Sequence, residues 1–149
     1  MSIVVARAFA VAAPAPAVRE YLLDLGHAAE WDPATRHVTR DDAGPVAVGS
    51  SWHSVAKVLA LTTELRYTLA EAGPDRLAFH GRGEGATATV TFTVRPATPG
   101  TEVGYHVDLE MHGVAKLATP VMKIEFEKLA TEATGRLAGI LNRLAAQAR

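Results

Sequence analysis

Residues 102–144, EVGYHVDLEMHGVAKLATPVMKIEFEKLATEATGRLAGILNRL, change their hydrophobic period once, and that change decides the fold. From Glu102 to Met111 apolar and polar residues alternate, which predicts an antiparallel strand with one buried face. After Gly113 the apolar residues recur every three or four positions, which predicts one long amphipathic helix. Thr119 followed by Pro120 suggests its N-cap and first position, and its length is about 25 residues.

The preceding sequence supplies further strands and a short helical pair. Thr87 to Val94 alternates threonine with apolar residues, and weaker strand patterns cover 3–11, 36–41, 50–58, 62–72 and 76–82. A helix is predicted from Pro16 to Leu25, with another helical turn from His27 to Trp31. The sequence therefore predicts an α+β fold, a curved antiparallel sheet of six or seven strands wrapped around the C-terminal helix.

Composition narrows the classes of function. The 149 residues fit a single domain (1–149), and the net charge of -1 argues against nucleic-acid binding. The absence of cysteine excludes disulfides and thiolate sites. No apolar run reaches the roughly 20 residues of a membrane span, and no basic amphipathic stretch is evident. We expect a cytoplasmic protein, and a homodimer is compatible with the sequence.

A curved sheet and a straight helix leave space between them, because the helix fills only part of the concavity. Large inward side chains would line that space and form a mostly apolar pocket. The residues predicted to contact a ligand are Trp31, Trp52, Ser54, Tyr67, Phe79, Phe92, Tyr105, Met122 and Phe126.

Chemistry-bearing residues are sparse. The candidate catalytic groups are Tyr67 and Tyr105, which could donate to a ligand carbonyl, and His53. Alternation favours Trp52 and Ser54 inward and His53 outward. The histidines lack metal-ligand spacing, so no metal or other cofactor is predicted. Asp32 is expected to stabilise a turn, and the glycine run 81–85 is expected to form a flexible loop that gates the cavity.

Several local motifs, in this order, resemble one known group. They are Ala13-Pro14-Ala15-Pro16-Ala17-Val18, Trp31-Asp32-Pro33, Val48-Gly49-Ser50, Gly100-Thr101-Glu102-Val103 and the leucine-punctuated C-terminal helix. The chain is similar from Val4 to Leu144 to the START-like, Bet v 1-like superfamily, in particular its bacterial polyketide cyclase/dehydrase and lipid-transport branch. The resemblance implies a helix-grip fold whose cavity binds lipids, hormones, quinones or aromatic polyketides.

Three functions remain open, because fold alone does not determine chemistry. The first is binding of a small hydrophobic or aromatic ligand, lipid-like or polyketide-like, by apolar burial. The second is a polyketide cyclase or dehydratase that performs aldol cyclisation or dehydration in the same cavity. The third is a regulatory module that binds a partner through an exposed apolar surface.

Overall fold

A computed structural model describes residues 2–147 of the chain. The strands are β1 (Ser2–Val11), β2 (Thr35–Arg40), β3 (Ser51–Val58), β4 (Leu61–Ala72), β5 (Arg76–Arg82), β6 (Ala86–Pro96) and β7 (Thr101–Met111). The α-helices are α1 (Ala15–Leu23), α2 (Ala28–Trp31) and α3 (Thr119–Gln147), and the 3₁₀ segments are Leu25–His27 and Gly113–Ala118. The predicted helical pair after the first strand is therefore present.

The strands form one curved antiparallel sheet in the order β1-β7-β6-β5-β4-β3-β2. Successive strands from β2 to β7 are neighbours, while β1 pairs with β7 along its whole length. The helical segments between β1 and β2 carry the chain from one sheet edge to the other. The predicted α+β helix-grip fold is confirmed.

The alternation in β7 has the predicted structural meaning. Its buried residues share one face with the buried residues of β6, whereas Glu102, His106 and Glu110 are exposed. Period-two patterning places alternate side chains on opposite faces of a strand. The inward residues of β7 are Val103, Tyr105, Val107, Leu109 and Met111.

Two helix boundaries differ from the sequence prediction. The first helix ends at Leu23, because Asp24 is extended and its carboxylate accepts the amide of Gly26 at 2.8 Å, which begins the 3₁₀ turn. Thr119 is helical instead of N-capping, and its hydroxyl donates to the carbonyl of Lys116 at 2.7 Å. Helical structure therefore begins at Gly113, and α3 alone has 29 residues.

The glycine run predicted as a flexible loop is partly strand. Gly81 pairs with Tyr67 across β4 and β5. Gly83 lies so close to the backbone of Glu64 that a side chain at residue 83 would collide with it. Only residues 83–85 connect β5 to β6. Glycine is needed at these positions because it lets neighbouring strands pack closely. The sequence prediction had assigned glycine there to flexibility instead.

The buried side chains form two clusters. One includes Trp52, Leu69 and Leu137 and extends beneath α1. The other includes Ile3, Leu109 and Met122 at the opposite end of the sheet. Tyr67 and Phe126 pack against both clusters. The core is thus divided, and the region between its halves is where the cavity lies.

Candidate ligand-binding site

A cavity lies between the concave face of the sheet and α3. The space open to the centre of a water molecule is about 110 Å³. Its wall is mostly apolar and comes from β1, the 3₁₀ segment Leu25–His27, α2 with the turn after it, the strands β2, β3, β4, β6 and β7, and the first four turns of α3. The polar side chains in this wall are those of Asp32, Thr35, Ser54, Thr63, Tyr67 and Tyr105.

Small residues at inward positions create this space. Where a leucine would fill the gap between sheet and helix, alanine leaves it open, because its side chain is a single methyl group. The alanines in the wall are Ala28, Ala34, Ala56, Ala86, Ala88, Ala130 and Ala133. Sequence reasoning named the large wall residues and missed these, although alanine at inward strand and helix positions was the available signal.

Six of the predicted ligand-contact residues line the cavity: Trp31, Ser54, Tyr67, Tyr105, Met122 and Phe126. Trp52, Phe79 and Phe92 do not. They face inward as predicted, but their rings pack edge to face beside the cavity, with centroids 5.6 Å apart for Trp52 and Phe79 and 6.4 Å apart for Phe79 and Phe92. The structure gives these three residues a packing role.

His53 lies away from the cavity. Its ring faces the outer side of β3, where Nε2 is 3.8 Å from a carboxylate oxygen of Glu64 on β4. The outward orientation follows from the inward positions of Trp52 and Ser54, which flank it. In this position His53 does not reach a ligand in the cavity.

Arg7, Arg66 and Arg82, three cations near the sheet, also lie outside the cavity wall. Arg66 and Arg82 are exposed on the outer face of the sheet. Arg7 points toward α3, where its guanidinium donates to a carboxylate oxygen of Glu127 at 3.0 Å. None of these three arginines is therefore positioned to stabilise a negative charge on a ligand oxygen inside the cavity.

Asp32 is the acidic residue of the cavity wall. Its two oxygens accept the amide of Ala34 at 3.0 Å and the hydroxyl of Thr35 at 2.8 Å, as expected for a turn residue. Burial raises the pKa of the carboxyl, and these hydrogen bonds oppose the shift. The sequence prediction of a turn is therefore correct but incomplete, because the same carboxyl also lines the cavity.

Tyr67 and Tyr105 place two phenols in the same cavity. Burial, followed by the nearby charge of Asp32, raises both pKa values above the usual value for tyrosine. Neither hydroxyl has a hydrogen-bond partner among residues 2–147. Every side-chain nitrogen or oxygen in that range that is fully shielded from solvent does have a partner, so these two hydroxyls are not fully shielded. The two hydroxyls therefore face open space and remain protonated donors at neutral pH.

Gly81 gives the ring of Tyr67 its place. The two residues are paired across β4 and β5, and a Cβ atom at Gly81 would lie 2.7 Å from Cε1 of Tyr67. Such a distance is well inside van der Waals contact. The absence of a side chain at residue 81 thus lets the ring lie over the neighbouring strand.

The apolar inward face expected from the sequence is consequently interrupted. One carboxyl and two phenols lie in one cavity and are close enough for Asp32 to influence both tyrosines electrostatically. The sequence suggested no convergent acid–base group, because Asp32 belongs to a turn and not to a strand with a predictable face. The arrangement can donate hydrogen bonds to a ligand oxygen and, through Asp32, exchange a proton.

Comparison with known proteins agrees with this architecture. Residues 2–146 match the family model for polyketide cyclase / dehydrase and lipid transport, while no curated protein is significantly similar in sequence. The Zhui aromatase/cyclase from Streptomyces sp. R1128 is 17% identical with a TM-score of 0.75, over 96% of this chain and 95% of that one. A START superfamily protein from Mycobacterium smegmatis is also 17% identical, with a TM-score of 0.71, over 98% and 99%.

At such low identities these two structures establish the fold alone. The family model carries more weight, because it spans nearly all of the sequence. The chain therefore belongs to the polyketide cyclase/dehydrase and lipid transport family.

Proposed function

We propose that the protein binds a small hydrophobic ligand, about the size of one aromatic ring and carrying an oxygen, between the sheet and α3. The observation that carries this proposal is a mostly apolar cavity whose wall contains Asp32 and the hydroxyls of Tyr67 and Tyr105, which have no hydrogen-bond partner in the described part of the chain. Ligand sites in proteins combine a largely apolar wall with a few polar groups that orient the ligand.

The size of the cavity limits the ligand. Engineered apolar cavities of roughly 150 Å³ hold a benzene ring, and the space here is about 110 Å³. A single ring or a short branched chain matches that volume. A ligand of several fused rings requires Met122 and Phe126 to move, and the flexible thioether of Met122 makes that movement inexpensive.

The polar groups define the expected chemistry of the ligand. Each phenol supplies a donor, so the preferred partner is a carbonyl, ether or hydroxyl oxygen. A neutral hydrogen bond of this kind contributes about 1 kcal/mol net. Apolar burial supplies most of the affinity, and the tyrosines select the orientation of the ligand.

A second function, polyketide cyclisation or dehydration, is supported by the convergence of Asp32 with the two phenols. An ionised Asp32 could take a proton from the carbon between two ligand carbonyls, while a phenol donates to the resulting enolate oxygen. The Zhui structure is described as an aromatase/cyclase, and the likeness in fold is compatible with such a role. The 110 Å³ volume favours binding, because a reactive polyketide chain is larger than one ring.

The two tryptophans allow a direct test of binding. Only Trp31 lines the cavity, whereas Trp52 is fully buried elsewhere. In the Trp52→Phe variant, added monocyclic phenols and aryl ketones should change the emission of Trp31 in a saturable manner. In the matched Trp31→Phe variant the emission of Trp52 should stay constant. If no ligand of this size produces a saturable change, while the variant is folded by circular dichroism, the binding proposal is wrong.

Catalysis has a separate readout. A short poly-β-ketone mimic is incubated with the protein, and ring formation is followed by absorbance and mass spectrometry. Turnover that Asp32→Asn abolishes would establish the enzymatic function. If the protein binds the mimic but the mimic is recovered unchanged, the result supports binding and not catalysis as the function.

A further inference from the structure

The carboxyl of Asp32 has no positively charged partner in the cavity. Within the part of the chain that the structure describes, the residues of the wall include no arginine, lysine or histidine. The charge of Arg136 on α3 opposes the rise in the pKa of Asp32, but its guanidinium donates to Glu132 at 2.7 Å and is half exposed. A carboxylate removed from water costs free energy unless a cation pairs with it.

The carboxyl of Asp32 is held in position and still has room for a further donor. Its two oxygens accept the amide of Ala34 and the hydroxyl of Thr35, which are both neutral donors next to the same turn. An ionised carboxylate accepts about four hydrogen bonds. Acceptor positions therefore remain on Asp32, and because this residue lines the cavity, a bound ligand is able to reach them.

Hydroxyl groups without partners lie in the same wall. Ser54 is 6% exposed and Tyr105 is 8% exposed, and the hydroxyl of neither has a hydrogen-bond partner within residues 2–147. The hydroxyls of Thr63 and Tyr67 are likewise unpartnered in that range. A hydroxyl accepts hydrogen bonds as well as donating them. The cavity thus offers several acceptors in addition to the carboxylate, which suits a ligand group with several donors.

The polar groups are concentrated on one side of the cavity. All of the polar residues in the described wall except Tyr105 belong to the turn before β2 or to the neighbouring strands β2, β3 and β4: Asp32, Thr35, Ser54, Thr63 and Tyr67. The residues that β6 and α3 contribute to the wall are alanine, valine, leucine, methionine and phenylalanine. A ligand that matches both sides has a polar head and an apolar body.

Aromatic rings accompany the carboxyl. Trp31, which precedes Asp32, lines the cavity together with Tyr67, Tyr105 and Phe126. Tyr67 and Tyr105 are near enough to Asp32 for its charge to raise their pKa values. Aromatic rings attract cations, and most strongly where water is excluded. A carboxylate close to several rings, with no cation of its own, is an environment that stabilises a bound ammonium group.

We infer that the ligand of this cavity is an amine, a monocyclic oxygen-bearing molecule whose ammonium group pairs with Asp32. This inference rests on the proposed function and names the chemical class of its ligand. The ammonium group donates to Asp32 and to the hydroxyl of Ser54, while the ring lies against the apolar wall formed by β6 and α3. The ion pair removes the cost of an uncompensated carboxylate, which a neutral ligand leaves in place.

Isothermal titration calorimetry on the unaltered protein compares three ligands that differ in one group. At neutral pH 4-hydroxybenzylamine is a cation, 4-hydroxybenzyl alcohol is neutral and 4-hydroxybenzoate is an anion. We expect the amine to bind at least about tenfold more tightly than the alcohol, because its hydrogen bond to Asp32 is charge-assisted. The benzoate should bind more weakly than the alcohol, because its charge and that of Asp32 repel each other.

Asp32→Asn tests the ion pair while the shape of the cavity is kept. Asparagine retains an oxygen for the amide of Ala34, so the turn is preserved. The affinity of this variant for the amine should fall at least about tenfold, and its affinity for the alcohol should stay the same. Glu30→Gln is the matched control, since it removes a negative charge from α2 at a residue that bonds Tyr21 outside the cavity. It should prefer the amine as strongly as the unaltered protein does.

The outcomes separate this inference from the proposed function. If the alcohol binds and the amine has no advantage over it, the inference is overturned and the proposed function stands. The inference is also overturned if Asp32→Asn and Glu30→Gln have the same effect on binding of the amine. If none of the three ligands binds, both the inference and the proposed function are contradicted. The comparison of ligands uses the unaltered protein, so it decides the matter even if Asp32→Asn does not fold.

Discussion

The indole ring of Trp31 meets the phenol ring of Tyr105 edge to face, with centroids 5.7 Å apart and planes at 89°. This contact joins α2 to β7, the strand next to the sheet edge formed by β1, and forms part of the cavity wall. Because Asp32 directly follows Trp31, the packing of one ring also determines where the carboxyl lies. The packing of Trp31 against Tyr105 thus brings the carboxyl of Asp32 into the same site as the phenol of Tyr105.

Replacing Tyr105 with phenylalanine should separate this packing from hydrogen bonding. The ring contact with Trp31 is kept, so we expect the unfolding free energy to change by less than about 1 kcal/mol. A ligand with a carbonyl oxygen should bind about fivefold more weakly, as expected for the loss of about 1 kcal/mol, and its hydrocarbon analogue should bind equally well. Titration of Trp31 emission in the Trp52→Phe background measures both. Tyr21→Phe is the control, since Tyr21 bonds Glu30 outside the cavity; equal losses in the two variants would contradict the role of Tyr105.

Gly81→Ala should displace the ring of Tyr67. The added methyl group would lie 2.7 Å from that ring, so we expect a loss of roughly 1 to 3 kcal/mol in unfolding free energy. In a Tyr67→Ala background the same substitution should cost far less, because the colliding ring is gone. Urea denaturation of the four proteins in this cycle gives the coupling energy. A coupling near zero would show that Gly81 is needed for another reason.

Filling the cavity should abolish binding without unfolding the protein. Ala130→Leu adds three carbon atoms at a position on α3 that lines the cavity. We expect stability to change by about 1 kcal/mol or less, because the new side chain enters existing space. Ligand affinity should fall at least about tenfold. Ala146→Leu, exposed near the end of the same helix, serves as the matched control. Unaltered affinity in Ala130→Leu would place the ligand elsewhere.

The pH dependence of stability should contain a contribution from Asp32. Burial raises the pKa of this carboxyl in the folded protein above its unfolded value, so the folded state binds the proton more tightly. Between those two pKa values the unfolding free energy should fall as pH rises, by at most about 1.4 kcal/mol per pH unit for one proton. Below the unfolded pKa the contribution becomes constant.

Subtracting the curve of Asp32→Asn from that of the unaltered protein isolates this contribution. Urea denaturation from acidic to neutral pH provides both curves, and the difference should decrease with rising pH. Asp42→Asn provides a contrast, because hydrogen bonds from Arg40 lower the pKa of the exposed Asp42. Its contribution should instead be lost as the pH falls. A difference curve for Asp32 that rises with pH would contradict the burial of its carboxyl.

The elements with a regular period were predictable from the sequence. The strict alternation in 102–111 and 87–94 gave β7 and β6, and the later change of period gave α3. The same alternation correctly predicted that Trp52, Phe79 and Phe92 point into the core. It did not show that these three side chains lie outside the cavity wall. Which inward side chains meet empty space depends on whether the residue opposite is large or an alanine, and those residues come from distant parts of the chain.

The sequence by itself determined the helix-grip architecture and the apolar character of its interior, because both follow from local periodicity and from turn residues. Only the tertiary structure decided that Asp32 joins Tyr67 and Tyr105 in one cavity, since a turn residue has no face until the rings around it pack. Tertiary structure likewise decided which face of α3 stays uncovered, because a helix that packs on one side of a sheet buries only the face turned toward that sheet. Local patterns specify elements, whereas the empty space and exposed surfaces between elements arise only when they are assembled.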